Sequence, residues 1–145
     1  MSLKIFYFDT KHAVKEHDWI IDNSGGLSGL KEIGLLDSAL EHIQNNLYYP
    51  TFEEKLKHLI IAVNKFHPFN DGNKRSSLVL GAYFLKLNGY DYCVNKFIFE
   101  MENIVVWLAE GKINDELLLD IVKSIIEEDD FNESIKLRLF ECIGF

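Results

Sequence analysis

The chain reads as an all-α protein. Apolar residues recur at three- and four-residue spacings through one stretch after another, and capping residues and glycines punctuate those stretches. Only Tyr90 to Val94 and one glycine-rich turn leave room for extended backbone, so any strand is confined to a short hairpin.

Taken in order, Asp9 or Thr10 caps a first helix to about Asp22. Its face carries Ala13, Val14, His17, Ile20 and Ile21, and Asn23-Ser24-Gly25 stops it. A second helix runs from about Leu36 to Asn46 with Leu36, Leu40, Ile43 and Leu47 as its stripe. Thr51 with Glu54 forms a capping box for a third, whose Leu56, Leu59, Ile60 and Val63 face a core. The fourth, about Asn73 to Leu87, is apolar nearly all round, which marks a central, buried helix ended by Asn88-Gly89. Tyr90 to Val94 reads as extended. Asn95 precedes a helix to about Glu110 carrying Ile98, Met101, Val105 and Leu108. Asn114 or Asp115 starts another to about Glu128, built on Leu118, Ile121, Val122 and Ile125. A last amphipathic piece, about Asn132 to Cys142, lays Ile135, Leu139 and Phe140 on the body, and the aromatic rings of Trp19, Phe84 and Trp107 read as core.

Composition narrows the class of protein. With 145 residues and 48% hydrophobic content, the chain is long enough for one domain with its own core. A net charge of −8, from 15 basic and 23 acidic residues, argues against a sequence-independent nucleic-acid binder. No apolar run of about 18 residues offers a membrane span, and the N-terminus lacks a signal-peptide pattern. Cys93 and Cys142 are too few for a disulfide framework, so the expected compartment is the cytoplasm.

The chemistry gathers in His67-Pro68-Phe69-Asn70-Asp71-Gly72-Asn73-Lys74-Arg75-Ser76. Phe66 and Phe69 pin the loop to the core, while His67 is near neutrality at pH 7 and can accept a hydroxyl proton. Asp71 offers the hard oxygen that Mg²⁺ prefers when it also holds phosphates. Gly72 lets backbone N–H groups approach an anion at the start of the following helix. Lys74 and Arg75 add a point charge and a bidentate fork. Cations are disfavoured at that end of a helix, and an anion between them removes the conflict.

This segment resembles the motif of the Fic/Doc superfamily, H-x-F-x-(D/E)-(G/A)-N-(G/K)-R at a helix start, and every fixed position matches. Lys74 stands where Fic enzymes have glycine, and Leu78 stands where they carry a second arginine, which places the resemblance on the Doc (death-on-curing) branch. The resemblance implies a Fic/Doc-type helical bundle over residues 1–145, with a flap at about 24–30, a motif loop at 67–75 and an extra C-terminal helix at about 131–142. It extends from about His17 to Ile126. It further implies His67 as catalytic base, Asp71 as metal ligand, and Gly72, Asn73, Lys74 and Arg75 as nucleotide and phosphate ligands. ATP or another nucleoside triphosphate is the implied co-substrate, with Mg²⁺.

For the Doc branch the implied reaction is phosphorylation of a Ser or Thr hydroxyl in a protein substrate such as elongation factor Tu. The Fic alternative is AMP transfer, toward which Gly72 leans slightly, since several Doc proteins have alanine there. Gly25-Gly26-Leu27-Ser28-Gly29-Leu30 is similar to the glycine-rich flap that Doc proteins carry upstream; Gly26, Leu27, Ser28 and Gly29 would line the target groove. The resemblance also implies a Phd-like antitoxin acting in trans. Ser124 to Asp129 departs from the inhibitory motif of Fic proteins, and Leu78 leaves its glutamate nothing to grip.

Blander readings stand beside these. An isolated histidine at a helix–loop junction caps or packs, and Asn70-Asp71-Gly72 alone is an ordinary turn, but their joint spacing with Asn73, Lys74 and Arg75 reverses that. His17-Asp18 raises a metal-dependent HD phosphohydrolase, yet His12, His42 and His58 show no spacing that gathers them with it. His17 falls on an apolar face and reads as a core histidine bonded to backbone. A P-loop is excluded because Gly72 to Ser76 lacks the required glycines. A degenerate, non-catalytic nucleotide-binding module is the remaining alternative.

Overall fold

The computed structural model describes residues 4–24, 33–65, 72–127 and 130–144. Seven α-helices make up these residues: α1 (Thr10–Ser24), α2 (Ile33–His42), α3 (Phe52–Lys65), α4 (Asn73–Leu87), α5 (Val94–Ala109), α6 (Asp115–Ile126) and α7 (Glu133–Ile143). Among the described residues there is no strand. The flap positions Gly26, Leu27, Ser28 and Gly29 lie outside them.

Local chemistry starts most of these helices where the sequence expects. The Asp9 carboxylate accepts from His12 N–H at 2.9 Å, and Thr51 Oγ accepts from Glu54 N–H at 3.2 Å. Asn114 caps α6 through Leu117 N–H at 2.8 Å, and Asn132 caps α7 through Ile135 N–H at 2.9 Å. Each such oxygen satisfies one of the N–H groups a helix start leaves without an intrahelical partner.

Helix α4 lies at the centre, packed against α1, α3 and α5. Its Leu80, Phe84 and Leu85 are buried with Leu56, Leu59, Ile60 and Val63 of α3 and with Phe97, Met101, Ile104 and Leu108 of α5. Gly81 makes the close crossing possible, because a Cβ there would stand 2.9 Å from Phe97 Cζ. At the far end of α4, Asn88 donates to Phe6 O at 3.0 Å and accepts from Phe6 N–H at 2.8 Å, which ties the N-terminal segment to the bundle. Leu118, Ile121, Val122 and Ile125 bury the inner face of α6.

Several expectations are corrected. Tyr90 to Val94 is not extended but holds a 3-10 turn, Asp91–Cys93, that runs directly into α5. No neighbouring strand offers a ladder there; Cys93 N–H turns back to Tyr90 O at 3.2 Å, while Tyr90 stacks on Phe52 at 4.6 Å. Helix α2 begins at Ile33 and ends at His42, short of Asn46, and Leu47 is 92% exposed. The chain closes there in tight turns at Gln44 and Asn45, and Lys55 holds the segment that follows. Its ammonium donates to Ile43 O at 2.6 Å, the carbonyl that Leu47 N–H would use in a longer helix, and to Asn46 Oδ1 at 2.8 Å. Leu47 N–H bonds Asn45 Oδ1 instead. Burial holds the Lys55 ammonium below the ordinary lysine range, against the opposing pull of Glu54.

Trp19 is 62% exposed rather than core, because the buried ridge of α1 is Ala13, His17 and Ile21 and a residue two steps beyond His17 faces away. Phe140 and Ile98 are exposed for a similar reason. Each is one step round its helix from an inward-facing pair, buried Ile135 with half-buried Leu139, and buried Phe97 with Met101. The side chain of Ile20 lies outside the described set.

Candidate active site

Helix α3 ends at Lys65 and α4 begins at Asn73, so the two described helix ends frame the motif segment. His67, Phe69 and Asp71 lie outside the described residues. Gly72, Asn73, Lys74 and Arg75 are within them, and all four sit at the start of α4.

Gly72 is the N-cap residue of α4, with φ 73° and ψ 22°, a left-handed conformation that disfavours a side chain. Space makes the same demand. A Cβ at Gly72 would stand 3.1 Å from Ile21 Cδ1, 3.5 Å from His17 Nε2 and 3.6 Å from Arg75 Nη2. The start of α4 therefore nests against the buried ridge of α1, with the Arg75 guanidinium folded beside it. Ser76 N–H donates to Gly72 O at 2.8 Å, closing the first turn.

The first turn of α4 is cationic, with Lys74 and Arg75 side by side. The N-cap residue Gly72 supplies no side-chain bond, and the first turn, like those of α1, α2 and α5, contains no acid, whereas α3, α6 and α7 begin with Glu53 and Glu54, Asp115 and Glu116, and Glu133. Lys74 is exposed and Arg75 is half-buried. Two cations at the positive end of a helix dipole repel it, and an anion seated there reverses the sign of the interaction. The arrangement suits a phosphate.

A buried polar joint lies behind the turn. Asn64, in the last turn of α3, donates to Val105 O of α5 at 2.9 Å and to Ser77 Oγ at 3.4 Å. Ser77 Oγ in turn donates to Lys74 O at 2.7 Å. The backbone of the cationic turn is thereby bonded to two other helices. Asn64 Oδ1 and Ser76 Oγ are buried without a hydrogen-bond partner among the described residues. None of these three residues is in the sequence-derived site, although one signal was available: Asn64 continues the buried row Leu56, Ile60 at four-residue spacing, where a polar side chain needs a reason.

The other histidines occupy separate places. His12 stacks on Tyr83 at 4.5 Å, His42 and His58 face each other at 6.4 Å on α2 and α3, and His17 is fully buried against Gly72. Its Nδ1 lies 3.5 Å from Asp18 Oδ1. Among the described residues, no three His, Cys, Asp or Glu side chains form a group that could hold a metal ion. The first turn of α4 contributes cations and backbone N–H groups but no carboxylate, so a magnesium ion here needs Asp71 and the phosphates themselves. That donor set fits a metal that arrives with its nucleotide.

Comparison with known proteins matches this region. A family model described as the Fic/DOC family covers residues 7–85, from before α1 through most of α4. A curated relative, the "Protein kinase doc" of Escherichia phage P1, is 28% identical over 113 residues, which cover 75% of this chain and 86% of that protein.

Proposed function

Because the chain belongs to the Fic/DOC family, we propose that it is a Doc-like, nucleotide-dependent protein-modifying transferase, acting as a kinase on a Ser or Thr hydroxyl. The observation that carries this reading is the start of α4: a left-handed glycine at the cap position and two cations in a first turn without an acid, directly after a segment with a histidine and a carboxylate.

In this reading Asn73, Lys74, Arg75 and the backbone at Gly72 bind the phosphates of ATP, Lys74 as a point charge and Arg75 as a planar fork. His67 accepts the proton of the target hydroxyl. The hydroxyl oxygen attacks the γ-phosphorus, the bond from that phosphorus to the bridging oxygen breaks, and ADP leaves. Asp71 would hold Mg²⁺, which neutralises phosphate charge when bound. Phe69 anchors the loop, and Gly26, Leu27, Ser28 and Gly29 line the groove for the target backbone.

The protein target we favour is a translation factor such as elongation factor Tu, by analogy with the Doc branch. Control falls to a Phd-like antitoxin, giving a toxin–antitoxin pair. Leu78 supports control in trans, since it packs on the core where a Fic enzyme would carry the arginine that an inhibitory glutamate grips. A cytoplasmic setting fits these partners, and no helix among the described residues is long and apolar enough to cross a membrane.

Incubation with elongation factor Tu, or with cell extract, and ATP labelled at the γ or α position tests the reaction. Label from the γ position, lost in His67→Ala, is the expected result. Label from the α position alone would make the protein an AMP-transferase, and phenotype retained by His67→Ala would make it a binding module. Coexpression with a neighbouring small gene should relieve growth arrest, and a chain harmless without that gene would count against the toxin reading.

A further inference from the structure

We propose that His17 is a positioning residue for this site, holding the left-handed start of α4 in place from α1. The inference rests on the transferase reading above. His17 sits between Ala13 and Ile21 on the ridge of α1, and all three are buried. Packing alone would favour an aliphatic side chain at the middle of such a ridge, because a buried imidazole has two ring nitrogens that must be satisfied.

The two nitrogens face different ways. Nδ1 lies toward the Asp18 carboxylate at 3.5 Å, on the outer side of the helix, where Asp18 is only half-buried. Nε2 lies against Gly72, at 3.5 Å from the position its Cβ would take, and Arg75 Nη2 is 3.6 Å from that same position. A polar edge from α1 and the phosphate-binding fork of α4 thus converge on one backbone unit. Ile21 Cδ1 closes the remaining side at 3.1 Å, so Gly72 can neither take a side chain nor shift toward α1.

This contact determines where the first turn of α4 points. Phosphate N–H donors and Arg75 act only when they are aimed at the charge that develops during transfer, and a displacement of about 1 Å costs on the order of 100-fold in rate.

Atom-matched substitutions test the role. Gln at position 17 carries an amide at about the reach of Nε2, Asn only at that of Nδ1, and Leu fills the volume without polar atoms. We expect His17→Leu and His17→Asn to lower kcat for label transfer from ATP·Mg²⁺ by about 10- to 100-fold. His17→Gln should stay within about threefold of the parent, and melting temperatures of the Leu variant should not fall in step with activity. The proposal is overturned by a Leu variant of parental kcat, by a Gln variant as poor as Asn, or by losses that follow the folded fraction. Should Leu prevent folding, the Gln against Asn comparison decides alone. If the parent protein itself transfers no label and binds no ATP·Mg²⁺, the transferase reading has failed and this role falls with it. A parent that is active beside an equally active Leu variant removes His17 only.

Discussion

The starts of α4 and α6 solve the same problem in opposite ways. At α6, Asn114 bonds Leu117 N–H, and Asp115 and Glu116 put negative charge at the positive end of the helix. At α4, the cap position is a left-handed Gly72 with no side-chain bond, followed by Lys74 and Arg75. The first arrangement is complete within the chain and serves stability. The second places like charges together at the positive end of the helix, an arrangement that the proposed phosphate would complement.

The largest effect should come from the loop beside α4. His67→Ala should lower transfer by about 10²- to 10⁴-fold, as loss of a general base does, while Asn114→Ala leaves the rate per folded molecule unchanged; a labelled-ATP assay on both measures the contrast. Nucleotide should also stabilise only through α4. ATP·Mg²⁺ at about 100 times its Kd adds about 2.7 kcal/mol to unfolding stability, read as a raised melting temperature. Arg75→Ala should remove most of that gain, and Asn114→Ala should keep it.

Smaller effects follow in the ligand-free protein. Asn114→Ala should cost about 1 kcal/mol by denaturant titration, through the lost cap. Lys74→Glu should move the other way, adding about 0.3–1 kcal/mol while abolishing transfer, because it relieves the clash with the helix dipole. If Lys74→Glu destabilises the free chain, the contrast between the two helix starts is wrong.

The smallest effect is a pH slope set by His58 of α3, which lies within electrostatic reach of Asp115 at the start of α6. Burial, with His42 and Lys57 nearby, holds the His58 imidazole below the ordinary histidine range, and Asp115 opposes this only in part. The unfolded chain then binds more protons than the folded one as pH falls through about 6.5, so stability should decline on acidification there. His58→Gln should flatten that part of the stability–pH curve.

Elements set by short-range chemistry were legible. Asp9, Thr51, Asn114 and Asn132 cap the helices expected of them because a cap bond spans only two or three residues. The buried faces of α3 and α6 were legible because helical period alone orders them. Leu47 was misplaced because α2 closes in tight turns at Gln44 and Asn45, and Lys55, farther along the chain, holds the segment that follows through Ile43 O and Asn46 Oδ1. Trp19 was misplaced because bulk and apolarity do not say which side of α1 meets the bundle.

The same division holds at the site. The succession of helices, their caps and the residue types at the start of α4 follow from the sequence, since spacing, charge and local hydrogen bonding act between near neighbours. Only the tertiary structure brought His17 and Ile21 onto Gly72 and linked Asn64 through Ser77 to the Lys74 carbonyl. Such contacts join residues on different helices, and their existence depends on the crossing of α1, α3 and α4, a geometry that packing decides and no local pattern encodes.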